Sequence, residues 1–393
     1  MGLTFQPTTD TDLSGVIQDA IANGTRLEVC GGGTKRAIGR AVHTDACVTV
    51  QSIAGITDYD PTELVVTAGA GTPVRELTAA MAAESQHFAF EPRNLCGLLG
   101  VEDHETIGGL IAANLSGPRR FTAGGIRDHV LGFQAVSGRG ELFKSGGRVV
   151  KNVTGYDLSK LVTGSFGTLA VLTEVSLRVV PRPREVGTLL IGATTIDDMR
   201  GHIDAVSASG SVTGAAFLSR RCVSATSDLD LSNGPALAIR FEGDTALSAA
   251  RAARDVFSVE TKVLETGQST GLWEQIRDLR FLVEKGVDLW RISLPRTSTP
   301  TFVKNLDEAH FIADWAGGQI WLADSSGLDI RLRLKEAAGQ DGHATLIRAK
   351  DSQRTDDSVF HPQSAPVAAL SQRIKHHFDP KGVLNPGRMY ADI

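Results

Sequence analysis

Three glycine-rich segments lie in the first half of the chain, and they constrain its fold more than any other feature. They occupy residues 30–35, 106–114 and 155–169. None forms G-x-G-x-x-G within a βαβ unit, so a Rossmann dinucleotide site is not indicated. The pattern G-x-x-x-x-G-K-[ST] is absent as well, which argues against a nucleoside triphosphate loop. The glycines therefore indicate some other kind of backbone site.

The first segment, CGGGTK, directly follows a predicted strand over residues 27–30. Consecutive glycines let backbone N–H groups converge on one point and let a phosphate approach closely. The hydroxyl of Thr34 and the charge of Lys35 would strengthen such a site. A triple glycine is also a common tight turn, so this segment alone leaves both interpretations open.

The second segment, TIGGLIAAN, opens a short predicted helix of small residues with a pair of glycines. A helix N-terminus favours anions, and small side chains let a flat ligand lie against the backbone. The third segment contains GYDL and GSFGTL and leads into a predicted strand over residues 169–180. Each segment could be structural, but three in this order indicate one extended binding site.

The same segments resemble a known family. GGGTK, TIGGLIAAN and TGYDLSKLVTGSFGTLAVLTEVSLRV are similar to the FAD-binding domain of the vanillyl-alcohol-oxidase (PCMH-type) superfamily. The resemblance covers residues 1–182, and the tail FDPKGVLNPGRM is similar to the closing segment of these enzymes. Within the superfamily, LSGPRRFTAGGIRDHVLG and LWRISLPRT most resemble the E-subunit family of bacterial glycolate oxidases (glycolate dehydrogenases).

The resemblance implies FAD as the cofactor. The first glycine segment would wrap the pyrophosphate, the second would line the pyrophosphate and isoalloxazine, and the third would pass the adenosine half. In several relatives a histidine of the glycine loop is bonded to the flavin, and Thr34 stands at that position here. We therefore expect non-covalent FAD. The implied cofactor residues are Gly31, Gly32, Gly33, Thr34, Lys35, Thr106, Gly108, Gly109, Asn114, Gly164, Gly167 and Val171.

The expected fold is α+β: a PCMH-type two-lobed FAD-binding domain plus an antiparallel-sheet cap domain with helices on one face. Pro181-Arg182-Pro183 breaks the pattern of the first domain. Strand–helix–strand repeats beyond it predict a sheet covered by helices. The expected ranges are 1–182 for the FAD-binding domain, 183–360 for the cap, and 361–393 for a C-terminal segment that returns to the flavin site.

Composition and charge exclude several classes of protein. The net charge of −5 gives no electrostatic case for binding nucleic acid. No apolar run approaches the roughly 18 residues that cross a bilayer, and residues 1–10 show no signal-peptide pattern. We therefore expect a cytoplasmic protein that reaches the inner membrane, if at all, through partner subunits.

The cysteines give no indication of a metal or cluster site. Cys30, Cys47, Cys96 and Cys222 include no C-x-x-C pair, so neither zinc nor an iron–sulfur cluster is predicted in this chain. We interpret all of them as small core thiols. The H-x-G-D-G-N segment and later Glu-His, which hold a divalent metal in related catalytic subunits, are also missing. The predicted set of metal ligands is therefore empty.

Oxidation of a 2-hydroxy acid requires a hydride acceptor, a base for the hydroxyl proton and cations for the carboxylate. Arginine suits the last role because its planar fork grips a carboxylate with two hydrogen bonds. Several arginines lie beside the motifs of the resemblance, and Asp341-Gly342-His343 and His361 come nearest to the missing metal-binding segment. The candidates for catalysis are Arg127, Arg291, Arg296 and His343, with Arg119 and Arg120 as further arginines of interest.

Three functions stay open. In the first, the chain is the FAD-binding subunit of a glycolate dehydrogenase complex that oxidises glycolate to glyoxylate. Electrons would pass through the flavin to partners, namely a homologous FAD-binding catalytic subunit, which would itself oxidise the glycolate, and an iron–sulfur subunit. In the second, it is a self-sufficient FAD-dependent dehydrogenase of glycolate or D-lactate. In the third, it is a non-catalytic assembly subunit.

Overall fold

The computed structural model of the chain describes residues 3–147, 156–226, 229, 231, 234–284, 286–306, 309–350, 353–355 and 359–393. Gly155, at the start of the third glycine segment, lies outside the described residues. The strands are β1 (Leu3–Phe5), β2 (Leu27–Cys30), β3 (Ala46–Thr49), β4 (Ile56–Asp60), β5 (Val65–Gly69), β6 (Gln86–His87), β7 (Val130–Ser137), β8 (Leu142–Gly146), β9 (Ala170–Arg178), β10 (Val180–Pro181), β11 (Val186–Gly192), β12 (Val212–Leu218), β13 (Ala236–Glu242), β14 (Thr261–Leu264), β15 (Asp288–Ser293), β16 (His310–Asp314), β17 (Gln319–Asp324) and β18 (His343–Arg348). The helices are α1 (Asp10–Asn23), α2 (Val74–Ala83), α3 (Cys96–Leu99), α4 (Ile107–Ala113), α5 (Arg120–Ala123), α6 (Leu158–Val162), α7 (Met199–Val206), α8 (Arg220–Ser224), α9 (Ala246–Arg254), α10 (Thr266–Arg277), α11 (Thr299–Val303), α12 (Ile330–Ala338) and α13 (Ala365–Phe378).

Two sheets form the first half of the chain. A parallel sheet has the order β1-β3-β2, and an antiparallel sheet has the order β4-β5-β9-β7-β8. In the second sheet every residue of β5 is buried, and Val66 pairs with Leu177 of β9. Strands covered on both faces are buried along their length instead of at alternate residues, as all of β5 and most of β9 are. These sheets are the cores of the two predicted lobes.

One large antiparallel sheet forms the second half, with the order β14-β11-β13-β12-β16-β17-β15-β18. Alternate residues of a strand face opposite ways. In β11, Leu189 and Ile191 therefore join an outer core with α7, α9, α11 and α12, whereas Leu190 faces the core of the two lobes. The predicted α+β class with an antiparallel cap is confirmed. In addition, α8 and α10 pack on the inner face of this sheet.

The C-terminal segment lies against the first sheet. Leu384 forms an isolated parallel bridge with Leu27 of β2. The ammonium group of Lys375 on α13 donates to the carbonyl oxygens of Thr168 at 2.8 Å and Leu384 at 2.9 Å, and to Asp379 Oδ2 at 2.6 Å. Burial lowers the pKa of Lys375, and these acceptors satisfy its charge. The tail is thereby held beside the glycine segments.

These three sheets use separate stretches of the chain, and a small two-stranded sheet pairs β10 with β6. Those of the lobes use residues 3–178, and the large sheet uses residues 186–348. The domain ranges 1–182, 183–360 and 361–393 remain predictions. Among the residues that the structure describes, no helix is both long and apolar enough to cross a bilayer.

Candidate active site

A cleft with about 860 Å³ of empty space lies where the glycine segments meet the C-terminal tail. Ten of the twelve predicted cofactor residues line it: Gly31, Gly32, Gly33, Thr34, Lys35, Thr106, Gly108, Gly109, Gly167 and Val171. The other two, Asn114 and Gly164, contact each other beside it. A Cβ added to Gly164 would lie 3.2 Å from Cβ of Asn114. We call this space the flavin cleft.

Close backbone approach explains two of the glycines in the first segment. A Cβ on Gly31 would lie 2.1 Å from Oγ1 of Thr106, and one on Gly32 would lie 1.6 Å from the carbonyl oxygen of His104. Neither position tolerates a side chain without displacing backbone or the side chain that caps α4. The first two glycine segments therefore pack directly on each other.

Free backbone donors lie on the first glycine segment. Within the described part of the chain, the N–H groups of Gly32, Gly33 and Thr34 donate to no acceptor. In contrast, the N–H groups of the first turn of α4 are occupied: that of Gly108 donates to Ala70 and that of Gly109 to Thr106 Oγ1. The expected anion site at the start of α4 is thus already filled by protein acceptors. Pyrophosphate oxygens fit the loop of the first segment better.

Lys35 is paired inside the protein. Its ammonium group forms an ion pair with Glu105, whose side chain is buried, and burial raises the pKa of that carboxyl. A second cation of the flavin cleft is Arg388, which donates to the carbonyl oxygens of Lys35 and Arg36, each at 2.9 Å. Burial lowers the pKa of Arg388 to about 10, so it stays charged at neutral pH.

Asn385 links the first and third glycine segments. Its Oδ1 accepts from the N–H of Val29 at 2.8 Å, and its Nδ2 donates to the carbonyl oxygen of Phe166 at 2.8 Å. Sequence reasoning placed the tail at the flavin but did not single out Asn385 or Arg388. The sequence feature that could have identified Asn385 is its place in LNPGRM, as a polar residue directly after an apolar one.

A second cavity, with about 1170 Å³ of empty space, lies on one face of β15, β17 and β18. Arg291 and Ser293 of β15 point to the same face because they are two residues apart. Trp321 of β17 stands opposite Arg291, and His343 of β18 stands opposite Ser293. All four line the cavity. Strand register therefore assembles this site, which we call the arginine cavity.

Arginines dominate the charge of this cavity. Arg120 and Arg127 complete the wall opposite the sheet, and Arg120 stacks over Trp315 at 4.6 Å. No carboxylate among the described residues is paired with Arg291. Burial, with smaller effects of Arg120 and Arg93, lowers the pKa of Arg291 to about 10, which leaves it charged at neutral pH. The three arginines outnumber the one carboxylate of the lining, that of Asp341. A half-buried cation without a carboxylate partner favours an anionic ligand.

His343 is the titratable base of the arginine cavity. His343 is exposed to the cavity at the start of β18. Partial desolvation there, followed by Arg291 and His361, lowers the pKa of His343 to about 4. Its imidazole is therefore neutral above pH 5 and has the free lone pair that a proton acceptor needs. His361 accepts a hydrogen bond at Nδ1 from the N–H of Ala344 at 3.3 Å, next to His343 in the chain.

The remaining arginines named above lie elsewhere. Arg296 is exposed and stacks on Phe121 at 4.7 Å, outside the arginine cavity. Arg119 is paired with Glu242 in a buried cluster between the lobes and the cap. Of the candidates for catalysis, the structure thus brings together Arg127, Arg291 and His343.

The flavin cleft and the arginine cavity meet along α4. Ala112 and Ala113 line the cleft, and the next residue, Asn114, lines the cavity. Asn114 caps α4 in the left-handed conformation, with φ 51°. Its Oδ1 is buried and has no hydrogen-bond partner among the described residues. A ligand in the cavity would therefore lie next to one end of the flavin cleft.

Comparison with known proteins identifies the family. Residues 2–146 match the FAD binding domain family FAD_binding_4. Glycolate oxidase subunit GlcE of Escherichia coli (strain K12) is 36% identical over 96% of this chain and 96% of its own length. The chain belongs to the FAD-linked oxidoreductase family. Its cofactor is FAD, and the glycine segments that carried the resemblance lie within or beside the flavin cleft.

Two further relatives of this FAD-linked oxidoreductase are informative. The D-lactate dehydrogenase of Archaeoglobus fulgidus is 30% identical over 56% of this chain and 48% of its own length. The structure of p-cresol methylhydroxylase with substrate bound matches with a TM-score of 0.66 and 13% identity, over 99% of this chain and 88% of that chain. The likeness to this structure shows the fold alone, and it confirms the predicted PCMH-type fold.

Proposed function

We propose that this chain is the FAD-carrying subunit of a glycolate dehydrogenase, and that its arginine cavity binds the carboxylate of the 2-hydroxy acid. The observation that carries the proposal is the half-buried Arg291, which has no carboxylate partner among the described residues, in a cavity that adjoins the flavin cleft at Asn114. The names of two relatives, a glycolate oxidase subunit and a D-lactate dehydrogenase, point to the same class of substrate.

Each requirement of the reaction has a candidate group in this chain. Bound FAD supplies a hydride acceptor at the end of the flavin cleft. The guanidinium group of Arg291 can hold a carboxylate with two hydrogen bonds, and Arg120 and Arg127 add positive charge. Neutral His343 can accept the proton of the substrate hydroxyl. A bound carboxylate would offset the charge of Arg291 and raise the pKa of His343, which makes it a stronger base.

The first function considered above assigns oxidation to a homologous partner, and the second assigns it to this chain alone. The arginine cavity favours substrate binding by this chain itself, because its arginines and its histidine all belong to this chain. Transfer of electrons to a homologous flavin subunit and an iron–sulfur subunit is part of the same proposal. It is supported by the description of the E. coli relative as a subunit. A cytoplasmic location, with membrane contact only through such partners, belongs to this proposal as well.

Ligand binding tests the carboxylate site without turnover. The FAD-loaded chain is titrated with oxalate while the visible flavin spectrum is recorded, and the titration is repeated in the presence of acetate, which has a carboxylate but no hydroxyl to oxidise. We expect a saturable spectral change with oxalate that acetate weakens by competition. Ethylene glycol, which lacks a carboxylate, serves as the control and is expected to cause none. A spectrum that responds to no small carboxylate would refute the site.

A further inference from the structure

Cys30 and Cys47 bring their sulfur atoms together at the edge of the flavin cleft. They lie on the neighbouring parallel strands β2 and β3, where Glu28 is the partner of Cys47 in the register. Cys30 is two residues beyond Glu28 and so points to the same face. The two Sγ atoms are 3.2 Å apart. Nothing in the proposed oxidation of a hydroxy acid uses this pair.

A guanidinium group lies on both sulfur atoms. Nη2 of Arg36 is 3.6 Å from Sγ of Cys30 and 3.4 Å from Sγ of Cys47. The Nε of Arg36 donates to Glu28 at 2.9 Å, which fixes the guanidinium over the pair. Both cysteines are half-buried and Arg36 is half-exposed, so a small molecule can reach the sulfur atoms from solvent.

The two thiols have different acidities. The hydrogen bond from Cys30 lowers the pKa of Cys47 to about 7, and the charge of Arg36 lowers it further. Burial and the charge of Glu28 act in the opposite direction and offset part of this decrease. The same contact raises the pKa of Cys30, and burial adds to the increase. At neutral pH about half of Cys47 is therefore thiolate, while Cys30 remains a thiol that donates to it.

We propose that Cys30 and Cys47 form a reactive dithiol, which a hydroperoxide converts into an intrachain disulfide. The proposal is independent of the function proposed above, since it rests on the pair and Arg36 alone. It also changes the interpretation of these two cysteines from core thiols to a modification site.

The chemistry balances with hydrogen peroxide as the oxidant. The Cys47 thiolate attacks one peroxide oxygen, the O–O bond breaks, and the leaving hydroxide takes up a proton to become water. Cys47 is then a sulfenic acid. The sulfur of Cys30 attacks it, the S–S bond forms, the S–O bond breaks, and the second hydroxide leaves as water with the proton of Cys30. Two thiols lose two electrons and two protons, and one peroxide becomes two waters.

Only a small movement is needed for bond formation. The sulfur atoms must close from 3.2 Å to about 2.05 Å, roughly 1 Å of side-chain motion. The other two cysteines serve as internal controls. Burial raises the pKa of Cys96 to about 11 and that of Cys222 to about 12, and both side chains are buried. Neither is expected to react under the same conditions.

Intact mass and thiol counting test the proposal. The reduced, FAD-loaded full chain is treated with a small excess of hydrogen peroxide and digested without reductant. We expect a mass loss of about 2 Da, the two hydrogens of a disulfide, retention of Cys96 and Cys222 as free thiols, and one Cys30–Cys47 cross-linked peptide. In Cys30→Ser, dimedone should trap a sulfenic acid on Cys47. In Cys47→Ser, dimedone should label nothing. The proposal would be overturned if four free thiols remained after treatment, or if Cys96 or Cys222 reacted before Cys30 and Cys47.

The role of Arg36 is tested through the rate. With a thiolate pKa of about 7, disulfide formation at pH 6 should run at about one fifth of its rate at pH 7. Arg36→Gln should slow the reaction at pH 7 severalfold and move this pH dependence upward. The Arg26→Gln variant is a matched control, because Arg26 is paired with Asp45 on the surface. If Arg36→Gln formed the disulfide at the wild-type rate, Arg36 would have no role in activating the thiol.

Discussion

At the scale of single residues, the arginine cavity owes its charge to Arg291. Its side chain is half-buried on the cap sheet and has no carboxylate partner among the described residues. Even partial burial of a cation without a partner is costly, and an anionic ligand would offset that cost.

Replacing Arg291 should therefore weaken substrate binding more than it affects the fold. We expect Arg291→Gln to raise the KM for glycolate roughly 10- to 100-fold, the loss of charge-assisted hydrogen bonds to a carboxylate. Flavin content should be unchanged. Arg296→Gln is the matched control, because Arg296 is exposed on Phe121, and its KM should stay at the wild-type value. Equal effects of the two substitutions would contradict the assignment.

His343 gives the reaction a characteristic pH dependence. Its pKa is lowered to about 4, and only the neutral imidazole accepts a proton. We expect kcat/KM to rise with pH through about 4 and to show no further ionisation of this group up to pH 8. His343→Gln should lower the rate by roughly 10²- to 10⁴-fold and abolish that limb. A limb near the ordinary histidine pKa, about 6.5, would show that His343 is not the base.

The family resemblance predicted the cofactor part of the site. Twelve cofactor residues were assigned from three short segments, and ten of them line one cleft in the structure. The arginine cavity could not be assembled in this way, because Arg291 and His343 meet only through the register of β15 and β18. No local pattern distinguishes Arg291 from Arg296, because both lie within the motif LWRISLPRT.

At the scale of elements, α4 holds the middle of the flavin cleft. A Cβ on Gly108 would lie 2.8 Å from the Cβ of Ala70, whereas one on Gly109 would meet only Oγ1 of Thr106, at 3.2 Å. Gly109 is thus the position of α4 at which a side chain can enter the cleft with little disturbance of the protein.

Gly109→Asp should place a negative charge in the cleft and abolish retention of FAD. Gly109→Asn has nearly the same shape without the charge, so it should keep a substantial fraction of its flavin. The ratio of flavin absorbance to protein absorbance after gel filtration measures both. Normal flavin content in Gly109→Asp would place the cofactor elsewhere. Equal loss in both variants would show that bulk, and not charge, is responsible.

The predicted elements agree with the structure where apolar, β-branched runs are long. The strand predicted at residues 27–30 has these bounds as β2, and most of the strand predicted at residues 169–180 is β9. The sequence of strand β12, VTGAAFL, does not predict a strand, because its Gly and Ala residues interrupt the apolar, β-branched pattern. It forms because β13 and β16 pair with it on either side and bury it. Tertiary context of this kind overrides local preference.

At the scale of the whole molecule, buried ion pairs fix the cap against the FAD-binding lobes. Nη2 of Arg93 donates to Asp314 at 3.1 Å, and its guanidinium stacks over Trp321 at 4.9 Å. Arg240 of the cap sheet is paired with Glu91 of the first lobe at 2.7 Å. Trp321 also lines the arginine cavity. The same contacts that join the two halves therefore hold the cavity at a fixed position relative to the flavin cleft.

This arrangement leads to one central prediction: substrate bound in this chain reduces the flavin of this chain. The most direct test is the visible spectrum of the purified, FAD-loaded chain alone, recorded before and after glycolate is added in the absence of oxygen. We expect the flavin band to bleach with glycolate and to persist with ethylene glycol. A band that persists with glycolate, D-lactate and other 2-hydroxy acids, in a chain that still binds oxalate, would contradict the claim and assign substrate oxidation to a partner subunit.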